Sequence, residues 1–523
     1  MKKNKRKMYS VFWAGFVTLC LLLVVGCSTQ TTVPAEQQES AKPKSGGTIT
    51  VAYPYEPDTL DAHLSAGSAG VYTWLLGGSL LYKAADSNEY KPSLASDYKI
   101  SEDGKTWTFT IRSGITFHDG TPLTAKSFKE TFDRALNPQT KAKTAAEVMA
   151  PIKSVKAPDD QTLVLELHEP NTAFLDSLAN YVTQPLSLKT IEKAGEDYGR
   201  SPVGVGPWKF ESWNTGEGVT YVRNEAFQWG EPYYENQGPP RADKLVIKAI
   251  ADSQLRLSAL ESGAIDVATE IPVKDAIYYR NNSKYQVIER LRPGLGSLME
   301  MNLKRPPFQD IQVRKAFHML VNKEAIVQAV TKGEGEVAHT PLSPSTLGYD
   351  KSLEKDGYAY NVNEAKKLLD DAGWKVNGSG VREKDGKTLS LNLLSTADFD
   401  KEAQLLQAML GEAGINIMIQ NLEIAGYMQE VVKGNFDVTL ISGAYDDPDI
   451  LYFYFHSSGA YNLTTIQTNA RKQVYMDVQK QLIEQAYVVP LYYEKAFTVI
   501  NSRVKGVKWT SVMPTYNDSW IEN

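Results

Sequence analysis

The sequence predicts an α/β protein with two or three lobes, and three observations lead to this prediction. The chain has 523 residues, which is more than one hydrophobic core usually supports. Its residues are 42% hydrophobic and 23% charged, proportions typical of a soluble globular protein. Strand and helix patterns alternate in the second half, and this βαβ order predicts a mostly parallel sheet flanked by helices.

The first half of the chain is richer in predicted strands. Apolar and polar residues alternate there with a period of two, which indicates strands with one buried face. The predicted strands are residues 48–53, 105–112, 162–167 and 245–250. Residues 253–262 follow the last of these strands and are predicted to form a helix that ends at Gly263.

The second half contains the predicted βαβ pattern. Asp310 can cap a helix that continues to about Val330, and Asn363 can cap a shorter helix. A strand, a helix and two further strands are predicted after them, at 389–394, 400–412, 415–419 and 436–441. Ligands in such sheets bind at the carboxyl ends of strands. The loop 444–449, which follows the last strand, is therefore a predicted ligand-binding loop.

The N-terminal segment has the layout of a secretory signal. A basic start precedes an almost charge-free run, 8–26, which is followed directly by Cys27. This junction resembles a bacterial lipobox, although Val24 stands where leucine is usual. We therefore interpret 1–26 as a lipoprotein signal peptide and Cys27 as the lipidated residue. A transmembrane anchor is the alternative, since about 19 apolar residues can just cross a bilayer.

The segment 27–45 is polar, contains two prolines and lacks apolar periodicity, so it is predicted to be a disordered tether. Together with the lipid anchor, it indicates a protein held on the extracytoplasmic face of the cell membrane. A Gram-positive cell surface is the expected setting. Stable anchoring by lipid requires more than one acyl chain, as a multiply acylated cysteine provides.

Composition and motifs argue against several functions. The net charge of −6 argues against nucleic acid as a partner. Cys20 leaves with the signal and Cys27 is the anchor, so disulfides and thiolate chemistry are not expected. The six histidines show no metal-ligand spacing, and phosphate-loop and nucleophile-elbow motifs are absent from the sequence. We therefore expect neither enzymatic activity nor a cofactor. A hydrolase that uses Asp446 or Asp447 is a remote alternative.

Six segments together carry a resemblance to a known family: 101–126, 203–213, 259–267, 305–327, 360–374 and 488–493. They resemble the family 5 extracellular solute-binding proteins of ABC importers, the group that binds oligopeptides, dipeptides and nickel chelates. The resemblance implies a type II periplasmic-binding-protein fold, in which two lobes joined by a hinge close on a ligand, with an extra α+β subdomain. Lobe I would comprise 46–85, 200–290 and 490–523, the subdomain 86–199, and lobe II 291–489.

The resemblance also places a ligand pocket around the loop before Pro448. Peptide-binding relatives usually carry Asp and Trp where this chain has Ala444 and Ser442. The usual clamp for a peptide ammonium is therefore absent or supplied by Asp446 or Asp449. The stretch 443–448, which includes Tyr445, is closer to that of nickel-chelate binders, but no arginine occurs in 173–188 to grip a chelator.

Further pocket residues follow from the same resemblance. Tyr427, Trp74 and Met513 fall where relatives line the cleft, and each could equally be an ordinary structural residue. His456 could meet a ligand or chelated metal, although a lone histidine is more often structural. The segment 463–470 is shorter than in relatives, which would open the cleft to a larger ligand or mark a weakened binder.

The sequence thus predicts a monomeric substrate-binding lipoprotein of an ABC importer. It would capture short peptides outside the cell membrane and deliver them to the transmembrane subunits of a permease. A nickel or other metal–chelator complex is the alternative ligand.

Overall fold

The structure is a computed structural model, which describes residues 43–65, 69–83, 89–171, 173–445, 448–456, 475–510 and 513–522. The predicted signal peptide, Cys27 and nearly all of the predicted tether lie outside these residues. So do Asp446, Asp447 and the segment 463–470. In the described part of the chain, no helix combines the length and the apolar character needed to cross a membrane.

Strands occur along the whole described chain. In chain order they are β1 (Thr48–Tyr53), β2 (Leu81–Lys83), β3 (Tyr90–Pro92), β4 (Ala95–Ile100), β5 (Thr106–Ile111), β6 (Ile152–Lys156), β7 (Thr162–Leu167), β8 (Trp208–Asn214), β9 (Gly218–Arg223), β10 (Lys244–Ala249), β11 (Val267–Ala268), β12 (Tyr285–Leu291), β13 (Gly294–Met301), β14 (Glu336–Val337), β15 (Lys375–Val376), β16 (Arg382–Lys384), β17 (Lys387–Thr388), β18 (Ser390–Ser395), β19 (Asn416–Asn421), β20 (Val438–Ala444), β21 (Val488–Tyr493), β22 (Lys495–Asn501), β23 (Val504–Lys505), β24 (Lys508–Trp509), β25 (Pro514–Thr515) and β26 (Trp520–Ile521).

Helices are concentrated in the second half. In chain order they are α1 (Gly70–Thr73), α2 (Ala125–Leu136), α3 (Lys143–Met149), α4 (Phe174–Ser177), α5 (Leu188–Ala194), α6 (Ser253–Glu261), α7 (Val273–Ala276), α8 (Pro306–Gln309), α9 (Ile311–Leu320), α10 (Lys323–Thr331), α11 (Val362–Asp371), α12 (Asp400–Gly411), α13 (Ile424–Lys433), α14 (Ile450–Phe455) and α15 (Tyr475–Glu484).

A seven-stranded sheet contains strands from three distant parts of the chain, in the order β12-β22-β11-β1-β10-β9-β8. Strand β1 lies at its centre because its apolar residues Ile49 and Val51 are fully buried and match buried residues of β10. The predicted strands 48–53 and 245–250 and the predicted helix 253–262 are confirmed, with shifts of one residue at most.

A four-stranded antiparallel sheet has the order β4-β5-β7-β6. The alternating pattern of β5 buries Trp107 and Phe109, which belong to one apolar cluster with Phe128 and Phe132 of α2. The predicted strands 105–112 and 162–167 form the centre of this sheet. They are confirmed as strands with one buried face.

A six-stranded sheet has the order β14-β21-β13-β20-β18-β19. Helices α9, α10 and α12 pack their apolar residues against one face of it, in a cluster that includes Phe317, Ile326 and Leu406. The second half of the chain therefore forms the predicted layered α/β structure.

The prediction of a mostly parallel sheet is wrong for the six-stranded sheet. Strand β18 is parallel to both β19 and β20, but β13 is antiparallel to β20 and to β21. The reason is that β13 enters this sheet from the seven-stranded sheet and β21 leaves it for that sheet, so neither is part of a βαβ unit. Only the segment from β18 to β20 carries the parallel pattern that the sequence predicted for the whole.

Two predicted helices differ from the structure. The helix expected from Asp310 to about Val330 is two helices, α9 and α10, because Val321 between them has an extended backbone. The Asn322 side chain then caps α10 by accepting a hydrogen bond from Ala325 N at 2.9 Å. The next helix is capped by Asn361, not by Asn363, since its amide oxygen accepts from Glu364 N at 3.1 Å.

Candidate functional site

Two crossovers connect the seven-stranded sheet to the six-stranded sheet. Strand β12 continues through Arg292 and Pro293 into β13, and β21 continues through Glu494 into β22. The amide of Arg292 donates to the carbonyl of Glu494 at 2.8 Å, so the two crossovers run side by side. Any motion of one sheet against the other must therefore bend the chain at these residues.

Charged side chains surround the crossovers. The Arg292 guanidinium is paired with Glu270 of the seven-stranded sheet region, and its Nε lies 3.1 Å from Glu494 Oε2. That Nε is buried, and its contact with Glu494 lacks hydrogen-bond geometry, so it has no hydrogen-bond partner among the described residues. Burial lowers the pKa of Arg292, but Glu270 and Glu494 more than offset this effect and raise it. The guanidinium therefore stays charged.

Glu270 has a left-handed backbone, with φ of 51°. This conformation is uncommon for a residue with a Cβ and carries strain. Arg256, whose side chain is buried, holds it in place by donating to the carbonyls of Thr269 and Glu270 at 3.1 and 2.9 Å. A buried arginine thus orients the carboxylate that meets Arg292.

A cavity of about 370 Å³ lies where strands of the six-stranded sheet end. Strands β18 and β20 are parallel neighbours, so their carboxyl ends meet at one edge. Asp398 follows β18, and Ser442 and Ala444 close β20; all three line the cavity, as do Arg292 and Glu494 of the crossovers. Ser442 and Ala444, which the sequence analysis assigned to the ligand pocket, thus lie in the lining of a cavity, and their contact with a ligand stays a prediction.

The wall of this cavity formed by β13 is irregular. The pairing of β13 with β20 shifts register between Leu295 and Leu298, which is the signature of a β-bulge. The bulge contains Ser297, which is only 3% exposed and lies beside the Tyr492 hydroxyl. The bulged stretch, including Leu295, Gly296 and Ser297, lines the cavity.

Tyr492 lines both this cavity and a second one beside it. Its hydroxyl donates to Glu402 Oε1 at 2.6 Å, and both side chains are buried. Burial raises the pKa of Glu402, and the hydrogen bond from Tyr492 partly opposes this effect. Burial also raises the pKa of Glu494, against the opposing charge of Arg292.

Two further cavities share the crossover residues. One of about 280 Å³ is lined by Glu270, Arg292, Tyr492 and Glu494. The other, of about 210 Å³, is lined by Ala444, Tyr445 and Trp509 together with Arg290. The guanidinium of Arg290 stacks over the Trp509 ring at 4.8 Å. The charged groups of Glu270, Arg292 and Glu494 therefore lie close to the aromatic surface of Trp509 along the crossovers.

The structure brings some predicted site residues together and separates others. Ser442, Ala444 and Tyr445 line the cavities at the crossovers. Asp449 immediately precedes α14 and its carbonyl accepts from Phe453 N at 3.1 Å, but it lines none of the cavities described above. Because Asp446 lies outside the described residues, its role in binding stays a prediction, as does the hydrolytic role of Asp446 and Asp447.

The predicted aromatic and methionine contacts lie in varied surroundings. Tyr427 is buried, and its hydroxyl is within 2.9 Å of Thr439 Oγ1, which is a structural setting. Trp74 lines a small separate cavity of about 20 Å³. Met513 accepts a hydrogen bond through its carbonyl from Thr510 N at 2.9 Å, next to Trp509. Their contact with ligand stays a prediction for all three.

His456 stacks on a neighbouring aromatic ring. The ring centroids of His456 and Tyr452 are 4.5 Å apart with an interplanar angle of 21°. Among the described residues, no group of three or more His, Cys, Asp or Glu side chains is arranged to hold a metal ion.

Sequence reasoning missed the charged residues at the centre of the site. Glu270, Arg292 and Glu494 lie on separate segments and meet because β11 and β12 both pair with β22 and β13 pairs with β21. One signal was available. Arg292 precedes a proline between two strand patterns, and Glu494 also lies between two apolar runs. Charged residues at such junctions mark chain segments that leave one sheet for another.

Two sheets joined by paired crossovers, with charged cavities at the strand ends, define a two-lobed solute-binding protein. The model of the bacterial extracellular solute-binding proteins, family 5, matches residues 89–463. Because this match covers more than half of the chain, the chain belongs to that family, and the predicted membership is confirmed. Proteins of this family act outside the cytoplasm.

Known proteins are similar over most of the chain. This chain is 27% identical over 470 residues to the oligopeptide-binding protein AppA of Bacillus subtilis (strain 168). The alignment covers 87% of this chain and 84% of AppA. DppA from Helicobacter pylori, solved in complex with peptide STSA, matches with a TM-score of 0.72 at 23% identity and covers 92% of this chain and 99% of DppA.

NikA from Brucella suis, solved in complex with Fe(III)-EDTA, matches with a TM-score of 0.79 at 22% identity. The match covers 91% of this chain and 100% of NikA. At this level of identity, the likeness of DppA and NikA concerns the fold. It confirms the predicted type II periplasmic-binding-protein fold.

Proposed function

We propose that this chain captures short peptides outside the cytoplasmic membrane and delivers them to the permease of an ABC importer. Family membership supports the transport role. The names of its relatives support the peptide ligand, since AppA is an oligopeptide-binding protein. The observation that carries the proposal is the group of cavities at the paired crossovers, where a bound ligand would contact segments of both large sheets.

The proposed mechanism is closure of two lobes. Lobe I, comprising 46–85, 200–290 and 490–523, would carry the seven-stranded sheet, and lobe II, comprising 291–489, the six-stranded sheet. Strand β21 of the six-stranded sheet extends past this boundary to Tyr493. A ligand at the crossovers contacts both lobes at once, so it stabilises the closed arrangement by its differential affinity. The permease would then recognise the closed form.

Calorimetry with defined peptide pools tests this proposal. We expect heat from pools of two to six residues and none from an equal concentration of free amino acids. Native mass spectrometry of freshly purified protein should show peptides that co-purify. If every pool fails to bind while a metal chelate binds, the peptide proposal is wrong.

A metal–chelator complex is the second candidate ligand. It is favoured by the similarity to NikA, whose structure contains Fe(III)-EDTA, and by the loop sequence 443–448. Elemental analysis of protein purified from rich medium decides between the candidates. Consistently metal-free protein that binds peptides excludes the chelate as the main ligand.

We also propose that Cys27 carries the lipid anchor and that 27–45 is a tether to the folded part. The sequence pattern 1–26 supports this proposal. Substitution Cys27→Ser should release the protein from the membrane fraction, and globomycin should block processing of the wild type. A C27S protein that remains membrane-bound after normal cleavage would contradict the lipid anchor.

A further inference from the structure

The cavity of about 210 Å³ at the crossovers has a mostly apolar wall. Its charged residues are already engaged, since Arg292 is paired with Glu270. Arg290 stacks over the Trp509 ring and donates to the carbonyl of Thr510 at 3.1 Å. The apolar part of the wall consists of Ile288, Leu291, Pro293, Ala444, Ala496 and the ring of Trp509. A ligand group that enters this cavity therefore meets mainly apolar surface.

Two short side chains of β22 leave the space for this cavity. Successive residues of a strand point to opposite faces of the sheet, so Ala496 and Thr498 lie on the same face. Their partners on β12 are Arg290 and Ile288, and all four residues line the cavity. Because Ala496 and Thr498 are small, room remains between this face of the seven-stranded sheet and the Trp509 ring.

Another part of the wall comes from the end of β20 in the six-stranded sheet. Ala444 and Tyr445 line the cavity there. The Tyr445 ring packs edge-on against the Phe453 ring, with 5.7 Å between the ring centroids. A group held in this cavity would therefore contact segments of both large sheets.

This cavity adjoins the cavity of about 370 Å³, because Arg292, Pro293 and Ala444 line both. A peptide bound at the carboxyl ends of the strands can therefore place one side chain in the apolar cavity. The volume suits a large side chain, since an apolar cavity of about 150 Å³ is already enough for a benzene molecule.

We propose that the cavity of about 210 Å³ selects peptides by accepting one large apolar side chain, preferably an aromatic one, and that Trp509 is a specificity-determining residue. The indole ring offers an aromatic partner, and aromatic pairs gain more than the burial of their area alone provides. The inference rests on the proposed peptide function and names the class of peptide that is preferred. These are peptides with a bulky apolar residue at one fixed position.

Selection from random peptide pools tests the preference. The protein is incubated with separate random pools of two to six residues, and the bound peptides are sequenced by mass spectrometry. At one position we expect phenylalanine, tyrosine, tryptophan and leucine to be enriched about 10-fold over the pool, because burial of a large apolar side chain is favourable. Charged residues should be depleted there, since a charge would lose its water against apolar surface.

Variants connect the preference to this cavity. Trp509→Ala removes the aromatic part of the wall and Ala496→Leu fills the space, so each should lower the enrichment to about 2-fold or less. Trp213→Ala is the matched control, because Trp213 also stacks with an arginine, Arg200, at 3.8 Å. Trp213 is not among the described residues that line the three crossover cavities, so this variant should keep the wild-type enrichment. Thermal melts confirm that each variant is folded.

The outcomes separate this inference from the proposed function. If the wild type binds peptides but the bound fraction matches the pool at every position, or is enriched in other residues, the selecting cavity is wrong while peptide binding stands. The same conclusion follows if Trp509→Ala or Ala496→Leu keeps the wild-type enrichment, or is folded and binds no peptide at all. If none of the pools binds to the wild type, the peptide function is overturned and the selecting cavity with it.

Discussion

At the scale of single residues, Glu300 is a carboxyl group buried in the six-stranded sheet, where desolvation disfavours its charged form. It lies in β13, is fully buried, and neither carboxyl oxygen has a hydrogen-bond partner in the described chain. Its sheet neighbours are Thr439 and Val488, so no opposite charge faces it across the strands. Burial raises its pKa to about 8, and the group is therefore protonated near neutral pH.

This burial makes the stability of the protein depend on pH. Between the unfolded pKa of 4.5 and the folded pKa of about 8, the unfolded chain releases a proton that the folded chain keeps. The free energy of unfolding should therefore fall as pH rises, by about 1.4 kcal/mol per pH unit from this group alone. Glu300→Gln removes this dependence, so its melting temperature relative to the wild type should increase from pH 5 to pH 8.

Calorimetric melts at the two pH values measure the effect. Glu412→Gln, which changes an exposed carboxylate, should follow the wild type at both. Parallel curves for the wild type and Glu300→Gln would show that Glu300 is ionised in the folded protein, or that it is hydrated.

Gly294 shows how tightly the crossover is packed. Its φ is 102°, and a Cβ at this position would lie 2.1 Å from the carbonyl oxygen of Gly443. Only glycine adopts this conformation without strain, and here it also permits the close approach of β13 to the end of β20. The position therefore links the hinge to the predicted ligand-binding loop.

Gly294→Ala should destabilise the protein by about 2 kcal/mol or more, since both backbone strain and a steric clash result. The altered β20 end should also weaken peptide binding. Gly378→Ala is the matched control, because a Cβ at Gly378 meets nothing within 4 Å. Urea unfolding and peptide titration of both variants check the prediction. Equal stability of the two would mean that the β13–β20 contact adapts easily.

At the scale of elements, helix α2 is joined to the chain beside β1 by a buried ion pair. Arg134 of α2 contacts both oxygens of Asp61, at 2.6 and 3.2 Å, and its Nη1 lies 2.8 Å from His63 Nδ1. Burial lowers the pKa of His63 to about 4, so the imidazole is neutral and adds no second positive charge at neutral pH. The cluster thus contains one ion pair, Arg134–Asp61, which is largely shielded from solvent.

Removing Arg134 should destabilise the protein strongly. Arg134→Gln leaves the Asp61 carboxylate buried without its partner, at an expected cost of about 3–5 kcal/mol. Lys129→Gln, on the same helix, breaks an exposed pair with Asp133 and should cost about 0.5 kcal/mol or less. Denaturant unfolding of the two variants measures the contrast. Similar values for both would mean that Asp61 takes up a proton or is reached by water.

The elements also show what sequence patterns can and cannot predict. Strands such as β1 and β7 were predicted to within a residue because a period of two fixes which face is buried. The break between α9 and α10 was missed because apolar residues continue through Val321, and only the cap at Asn322 separates the helices. Local patterns identify the type of an element more securely than its ends.

The site was predicted in part for a similar reason. The end of the strand indicated the loop 444–449, the family resemblance pointed to Ser442 and Ala444, and both of these residues line a cavity in the structure. The charged cluster of Glu270, Arg292 and Glu494 was not, since it depends on strand pairings between distant segments. The residues that set the electrostatics of the cavity are therefore those that only the folded structure brings together.

At the scale of the whole molecule, contacts other than the crossovers connect the regions of the two large sheets. Arg280, which follows α7, makes a bidentate pair with Glu334 beyond α10, at 2.6 and 2.5 Å, and also binds Glu289 of β12. The side chains are 32% and 22% exposed. Such a pair is expected to contribute about 1 kcal/mol or less, so it can bias the relative position of the sheets without fixing it.

Closure on a ligand should be visible in solution scattering. A peptide pool at saturating concentration should lower the radius of gyration of the wild type, because a ligand that contacts both lobes favours the closed form. Glu334→Gln should show the same decrease, since the weak surface pair biases the motion but does not cause it. An unchanged radius of gyration at verified saturation would show that the lobes do not close on peptide, and the proposed mechanism of delivery would be wrong.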